Sequence, residues 1–273
     1  MKLELSTNRT IVAPFIFDGV QARLAEQAGF EAVYMTGFGT AASYGLPDLG
    51  LLTMTEMTSQ AAKIVRAVNV PVIADADTGY GNALNVIRTV EQYQAAGVAA
   101  IHIEDQVFPK RCGFLEGKEV IPLTDMVAKV RAATDNRDEG FVIIGRTDAL
   151  QPNGWDDVCR RAEAYMTAGA DMIFVDGIRT REDLDTYCKR LGHLPLLYNG
   201  MLESLSDLES RGFRVVLQIG TLLKHFEDFA ACLATLKRDG IIEVAGDSFK
   251  QAVTALGVPE TLALAARYED KRS

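Results

Sequence analysis

No apolar stretch in this chain approaches the ~18 residues that a membrane-spanning helix needs. The start, Met1-Lys2-Leu3-Glu4-Leu5-Ser6, has no apolar core of the kind a secretory signal carries. Basic clusters are missing as well. Lys and Arg number 28 against 37 Asp and Glu, a net charge of −9, so nucleic acid and anionic membrane are not expected partners. The four cysteines, Cys112, Cys159, Cys188 and Cys232, show no C-x-x-C spacing, and in a chain this large they read as reduced thiols in the cytoplasm. With 23 glycines and 8 prolines among 273 residues, collagen-like and low-complexity classes are excluded.

What remains is an ordinary globular mixture, 48% apolar and 24% charged, in which short β-branched runs alternate with segments of helical periodicity. The strand-like runs are Ile11–Phe17, Ala32–Met35, Val70–Ala74, Ala99–Ile103, Phe141–Ile144, Met172–Val175, Leu194–Tyr198 and Arg214–Gln218. Helical patterns such as Val20–Ala28, Ala83–Ala96, Leu123–Ala133, Trp155–Thr167, Arg181–Leu191 and Leu202–Arg211 lie between them. This alternation predicts βαβ units and a parallel sheet. Eight strands suit an α/β (β/α)8 TIM-type barrel. An open doubly wound sheet competes, but no G-x-G-x-x-G opens a helix after the first strand. Gly29, Gly97, Gly169 and Gly212 each stand between a helix and the next strand, where a left-handed residue is wanted. Two further helical segments, Leu222–Arg238 and Phe249–Leu256, are followed by a tail from Pro259 to Ser273. The chain reads as one domain over 1–273. Its extra C-terminal helices, from about 240 to 273, are expected to pack on a neighbouring subunit.

In a barrel the chemistry sits at the C-terminal ends of the strands. Strand three runs into Asp75-Ala76-Asp77, strand four into Glu104-Asp105-Gln106, and the loop after strand two holds Asp48. A D-x-D alone is often solvated turn chemistry. Here a buried run precedes it, and the i, i+2 spacing aims both carboxylates to one side of an extended backbone. Asp75, Asp77, Glu104 and Asp48 then make an all-oxygen site for a hard cation, Mg²⁺ or Mn²⁺, with waters completing the octahedron. Cys112, between Lys110-Arg111 and Gly113 in a βα loop, reads as a reactive thiol that the cations favour as thiolate, on a glycine-flanked mobile segment. Cys159, Cys188 and Cys232 lie on helices and read as structural. His102 reads as a donor supporting the acids, and Trp155 as packing; His193 and His225 carry no assigned role.

Lys110-Arg111-Cys112-Gly113 after Glu104-Asp105-Gln106, with Asp75-Ala76-Asp77 and Tyr44-Gly45-Leu46-Pro47-Asp48, resembles the isocitrate lyase/phosphoenolpyruvate mutase superfamily, nearest to its short 2-methylisocitrate lyase and dimethylmalate lyase branch. The resemblance runs from about Phe15 into the C-terminal helices. It implies Mg²⁺ held by Asp75, Asp77, Glu104 and Asp48, directly or through water, and an oxo-acid end held by Thr36, Gly37 and Phe38. Arg146 is then on a substrate carboxylate, and Cys112 is the general acid/base thiol. The catalytic set is Cys112, Lys110, Arg146 and Glu104, while Gly113, Asn199 and Asp176 complete the substrate contacts. The family pattern is a homotetramer with exchanged C-terminal helices. The implied reaction is Mg²⁺-dependent cleavage of a 2-hydroxy carboxylate to a 2-oxo acid and a carboxylic acid, with Tyr34 or a metal-bound water as base for the hydroxyl.

The sequence departs from the family pattern at three places. Phe114 stands where the lyase branch has histidine, Asp176 where glutamate is usual, and Asn199-Gly200-Met201-Leu202-Glu203-Ser204 lacks the usual Gly-Gly-x-Thr-Pro. Phe114 and Met201 fall where the variable half of a substrate would lie. They favour an alkylated malate over a tricarboxylate such as 2-methylisocitrate. Oxaloacetate hydrolysis or decarboxylation, phosphonopyruvate-type C–P chemistry and an inactive binding barrel are the alternatives.

Overall fold

The computed structural model describes residues 2–5, 9–113 and 115–268; Phe114, one of the three departures, lies outside them. Eight strands form in the order β1 (Ile11–Ile16), β2 (Val33–Met35), β3 (Val72–Asp75), β4 (Ala100–Glu104), β5 (Val142–Thr147), β6 (Met172–Val175), β7 (Leu196–Asn199) and β8 (Val215–Gln218). They pair in parallel, in chain order. β8 returns to β1 with Ile11 opposite Val215 and Pro14 opposite Gln218, closing the barrel. Each strand lies where the sequence places one. The largest difference is β5, which runs on through Gly145-Arg146-Thr147. An arginine there looks like loop sequence, but its buried partners keep it in the sheet.

The period-2 alternation of side chains builds two apolar layers. Phe15, Tyr34, Ile73, Ile144, Phe174 and Leu197 pack inside the barrel. Met35, Ala74, Ile101, Ile143, Val175 and Val216 face the surrounding helices. Those helices are α1 (Gly19–Gln27), α2 (Gly37–Ser43), α3 (Met54–Ala67), α4 (Ala83–Ala96), α5 (Leu123–Asp135), α6 (Leu150–Asn153), α7 (Trp155–Thr167), α8 (Arg181–Leu191), α9 (Leu205–Ser210), α10 (Gly220–Asp239), α11 (Ser248–Ala255) and α12 (Val258–Ala266). Gly29, Gly97, Gly169 and Gly212 all take positive φ, between 83° and 101°, as their place before a strand requires. Trp155 packs near the Tyr187 ring, at 6.2 Å between centroids.

The segment from Pro259 is not a simple tail. Proline fits the first turn of a helix, where its missing N–H costs nothing, and Pro259 sits there in α12. α10 to α12 leave large apolar side chains in water, among them Phe229, Phe249 and Leu262. Among the described residues no helix is long and apolar enough to cross a membrane.

Candidate active site

The acids gather at the C-terminal mouth, though not by the geometry the sequence implies. β3 ends at Asp75, and Asp77 has φ +45°, outside any extended run. The two carboxylates converge through a turn: Asp77 N–H donates to Asp75 Oδ1 at 2.9 Å. Asp75 Oδ2 accepts from Gly37 N–H at 3.1 Å. A Cβ on residue 37 would stand 2.5 Å from that oxygen, so glycine is required by the close approach. Thr36 caps α2 through its side chain. Lys110 pairs with both Asp48 and Asp77, the latter at 2.9 Å. Burial opposes the Lys110 charge, but Asp77, Glu104, Asp48 and Asp75 outweigh it and hold the ammonium well above its ordinary range. Burial pushes Asp77 up to about 6. It also raises Asp75, but His102, Lys110 and Arg146 more than reverse this and leave it lowered.

Glu104 is fully buried, and its carboxyl is pushed well up by that burial. Oε2 lies 3.2 Å from Arg146 Nη1, and Oε1 has no hydrogen-bond partner. The neighbouring Asp105 turns the other way. It accepts from Thr147, the Asp148 backbone, Tyr165 and Arg161, and so ties β4 to β5 and α7. His102 bonds the Tyr34 hydroxyl at 2.7 Å and stands 3.6 Å from Asp75. Burial lowers His102 to about 4, so the imidazole is neutral at pH 7. Burial also raises the Tyr34 phenol far above its usual value.

Arg146 is the centre of a second group. It forks onto Asp148 through Nε and Nη2, at 2.9 and 3.1 Å. Its Nη2 lies 3.5 Å from Asp176, and the guanidinium stacks 4.9 Å over the Phe174 ring. Asp148 is held well below the carboxylate range because Arg146 and Lys118 overcome its burial. Lys118, another buried cation, reaches Asp148 and Asp176. The loop that carries Cys112 is anchored by Gln106, whose amide bonds the Arg111 backbone at both N and O. Cys112 N–H donates to Asp48 O at 3.1 Å. The two cations beside Cys112 in sequence are committed elsewhere: Lys110 to the acids, Arg111 to the Glu116 carbonyl. None of the four cysteines is in a disulfide.

Thr36, Phe38, Asp48, Asp75, Lys110, Cys112, Gly113, Arg146, Asp176 and Asn199 line one cavity of about 330 Å³. Gly37 touches Asp75 from behind it, Asp77 joins through Lys110, and Glu104 lies under Arg146. Asn199, at the end of β7, is half-buried, and its buried Oδ1 has no hydrogen-bond partner. The sequence does not single out Lys118 or Asp148. Asp148 had a signal, its i+2 spacing from Arg146 at a strand end; Lys118, far along the loop, had none. The apolar wall formed by Leu115, Ile219, Leu222 and Leu223 was likewise not legible.

The donors suit a hard cation. Among the described residues, Asp48, Asp75, Asp77, Glu104, Asp148 and Asp176 face only Lys110, Lys118 and Arg146 as cations. Buried carboxylates in excess need positive charge or protons, and the unpartnered Glu104 oxygen is an acceptor awaiting a donor. No three His, Cys, Asp or Glu side chains among the described residues form a ready-made metal cluster, and Lys110 pairs with both Asp48 and Asp77.

The profile of the family described as phosphoenolpyruvate phosphomutase matches residues 2–235. The chain belongs to this phosphoenolpyruvate mutase/isocitrate lyase superfamily. The match ends within α10, so α11 and α12 lie beyond it. Among relatives of this superfamily member, 2,3-dimethylmalate lyase of Eubacterium barkeri is 47% identical over 218 residues, 75% of each chain. The structure of oxaloacetate acetylhydrolase with 3,3-difluorooxalacetate superposes with a TM-score of 0.92 and 33% identity, covering 98% of this chain and 95% of that one. Phosphonopyruvate hydrolase in complex with oxalate and Mg²⁺ gives 0.86 and 32%, over 97% and 96%.

Proposed function

We propose that this protein is a Mg²⁺- or Mn²⁺-dependent carbon–carbon lyase that splits a 2-hydroxy dicarboxylate of the alkylated-malate type into a 2-oxo acid and a carboxylic acid. One observation carries the reading: the Cys112 thiol shares a single cavity with Asp75, Lys110 and Arg146. Asp75, Asp77, Asp48 and Glu104 are the residues that would hold the cation, directly or through water, and the Lewis acidity it supplies makes a 2-hydroxyl easier to deprotonate. Thr36 and the Gly37–Phe38 backbone frame the oxo-acid end, and the planar fork of Arg146 suits a carboxylate. The departing fragment leaves as the enediolate of a carboxylic acid, a poor leaving group. Cys112 Sγ donates the proton its carbon takes up, and Lys110 draws the neighbouring Asp77 and Glu104 carboxyls down against their burial. Phe38, Leu49, Leu115, Ile219, Leu222 and Leu223 make the remaining wall apolar, which supports an alkyl substituent over a third carboxylate. The exposed apolar side chains of α10 to α12 support a homotetramer assembled through those helices. Four cysteines outside any disulfide support a cytoplasmic setting.

The likeness to oxaloacetate acetylhydrolase favours oxaloacetate hydrolysis as the second reading. An assay of 2-oxo acid release with Mg²⁺ separates the two. The substrates are 2,3-dimethylmalate, longer alkylmalates, 2-methylisocitrate, oxaloacetate and phosphonopyruvate, with EDTA and Cys112→Ser as controls. Turnover of an alkylmalate that falls by roughly 10²-fold or more in Cys112→Ser and stops with EDTA is the expected result. Activity confined to oxaloacetate or phosphonopyruvate, and surviving Cys112→Ser, overturns the lyase reading.

A further inference from the structure

Lys118 is a buried cation that the reaction above does not use. It is 4% exposed. Its Nζ has three acceptors for its three protons: Gly113 O at 3.0 Å, Asp148 Oδ1 at 3.0 Å and Asp176 Oδ2 at 2.7 Å. The two carboxylates belong to the barrel wall, at the ends of β5 and β6, and both also touch Arg146. The carbonyl belongs to the residue after Cys112. Lys118 therefore joins the Cys112 loop to the far side of the mouth, opposite the Asp48 contact made by Cys112 N–H. The Asp176 carboxylate packs so closely on Gly113 that a Cβ there would collide with it, so the approach is shaped on both sides. We propose that Lys118 is the positioning residue that holds the Cys112–Gly113 segment against the barrel mouth, by bridging the Gly113 carbonyl to the Asp148 and Asp176 carboxylates. The consequence for catalysis rests on Cys112 being the proton donor; the bridge itself does not.

The test is the rate of iodoacetamide alkylation at each cysteine of the full chain with Mg²⁺, read by peptide mass spectrometry. Cys159, Cys188 and Cys232 are internal controls, since they lie on α7, α8 and α10. In Lys118→Met the Cys112 rate should rise about tenfold, as expected for losing charge-assisted hydrogen bonds, while the other three stay unchanged. Lys118→Arg, which keeps a charged donor, should recover much of the difference. On whichever substrate the wild type turns over, kcat should fall more than KM changes. An unchanged Cys112 rate overturns the proposal. So does a rise at all four cysteines, which would make Lys118 a support of the whole barrel. Lys118→Gln, read in the same way, decides the matter if Lys118→Met does not fold. The alkylation rates need no lyase activity, so failure of the bridge and failure of the lyase reading are distinguishable.

Discussion

Gly37 and Asp75 are in contact across two strand ends: the Gly37 N–H donates 3.1 Å to Asp75 Oδ2, and no side chain fits between them. Gly37→Ala would place Cβ 2.5 Å from that oxygen. The Asp75 side chain is short and also held by Asp77 N–H, so it must turn away from its present position. Activity should fall at least about tenfold, because a misplaced charged group loses its orientation in the transition state. Overpacking costs about 1–3 kcal/mol, so the melting temperature should drop only modestly. A melting curve beside the rate assay checks both, and an active Gly37→Ala protein would show that Asp75 needs no fixed position.

The excess of buried carboxylates over cations predicts stabilisation by a divalent ion. At a Mg²⁺ concentration about 100 times its dissociation constant, binding to the folded state alone adds roughly 2.7 kcal/mol. The melting temperature of metal-stripped protein should then rise on Mg²⁺ addition and fall again with EDTA. Asp75→Asn should abolish the rise. Identical melting curves with and without Mg²⁺ would count against the acid cluster as the cation site.

Arg146 forks onto Asp148 and approaches Glu104 and Asp176. Lysine keeps the charge but not the planar fork. Arg146→Lys should therefore lose stability as well as turnover, since breaking a buried ion network costs about 3–5 kcal/mol. Differential scanning calorimetry with the rate assay checks this. Loss of turnover at unchanged stability would make Arg146 a substrate contact without a structural share.

Asp157, in the first turn of α7, accepts from Arg161 at 2.8 Å, Asn153 at 2.7 Å and Arg160. Burial alone would raise its carboxyl, but these bonds win and bring it down to about 2. A depressed folded value adds stability above the unfolded value of about 3.9 and loses it as pH falls toward 2. The contribution is roughly 1–2 kcal/mol, with about half gone by pH 3. The stability difference between wild type and Asp157→Asn, from urea titrations, should therefore shrink between pH 5 and pH 3. A difference that stays constant would place the effect of Asp157 outside its charge.

The barrel was legible because short apolar strand runs alternate with helical segments, and Gly29, Gly97, Gly169 and Gly212 mark four of the helix ends that precede a strand; that pattern needs no partner to be read. The cavity residues were legible too, since Asp75, Cys112 and Arg146 stand at or beyond strand ends. What failed was the local geometry. The i, i+2 spacing of Asp75 and Asp77 points to an extended pair, yet Asp77 is in a left-handed turn.

Hydrophobic period, glycine placement and the order of strands and helices are properties of neighbouring residues, and the amino-acid order alone determined them here. The partners of Lys110 and Lys118 at the site are not neighbours: Lys118 meets Asp176 across 58 positions and Lys110 meets Asp48 across 62. Such pairings exist only once the barrel closes and brings its loops to one mouth. Closure also removes water from these groups, which strengthens each pairing and makes an unpaired carboxylate costly. The tertiary structure therefore decided which charges face one another at the site.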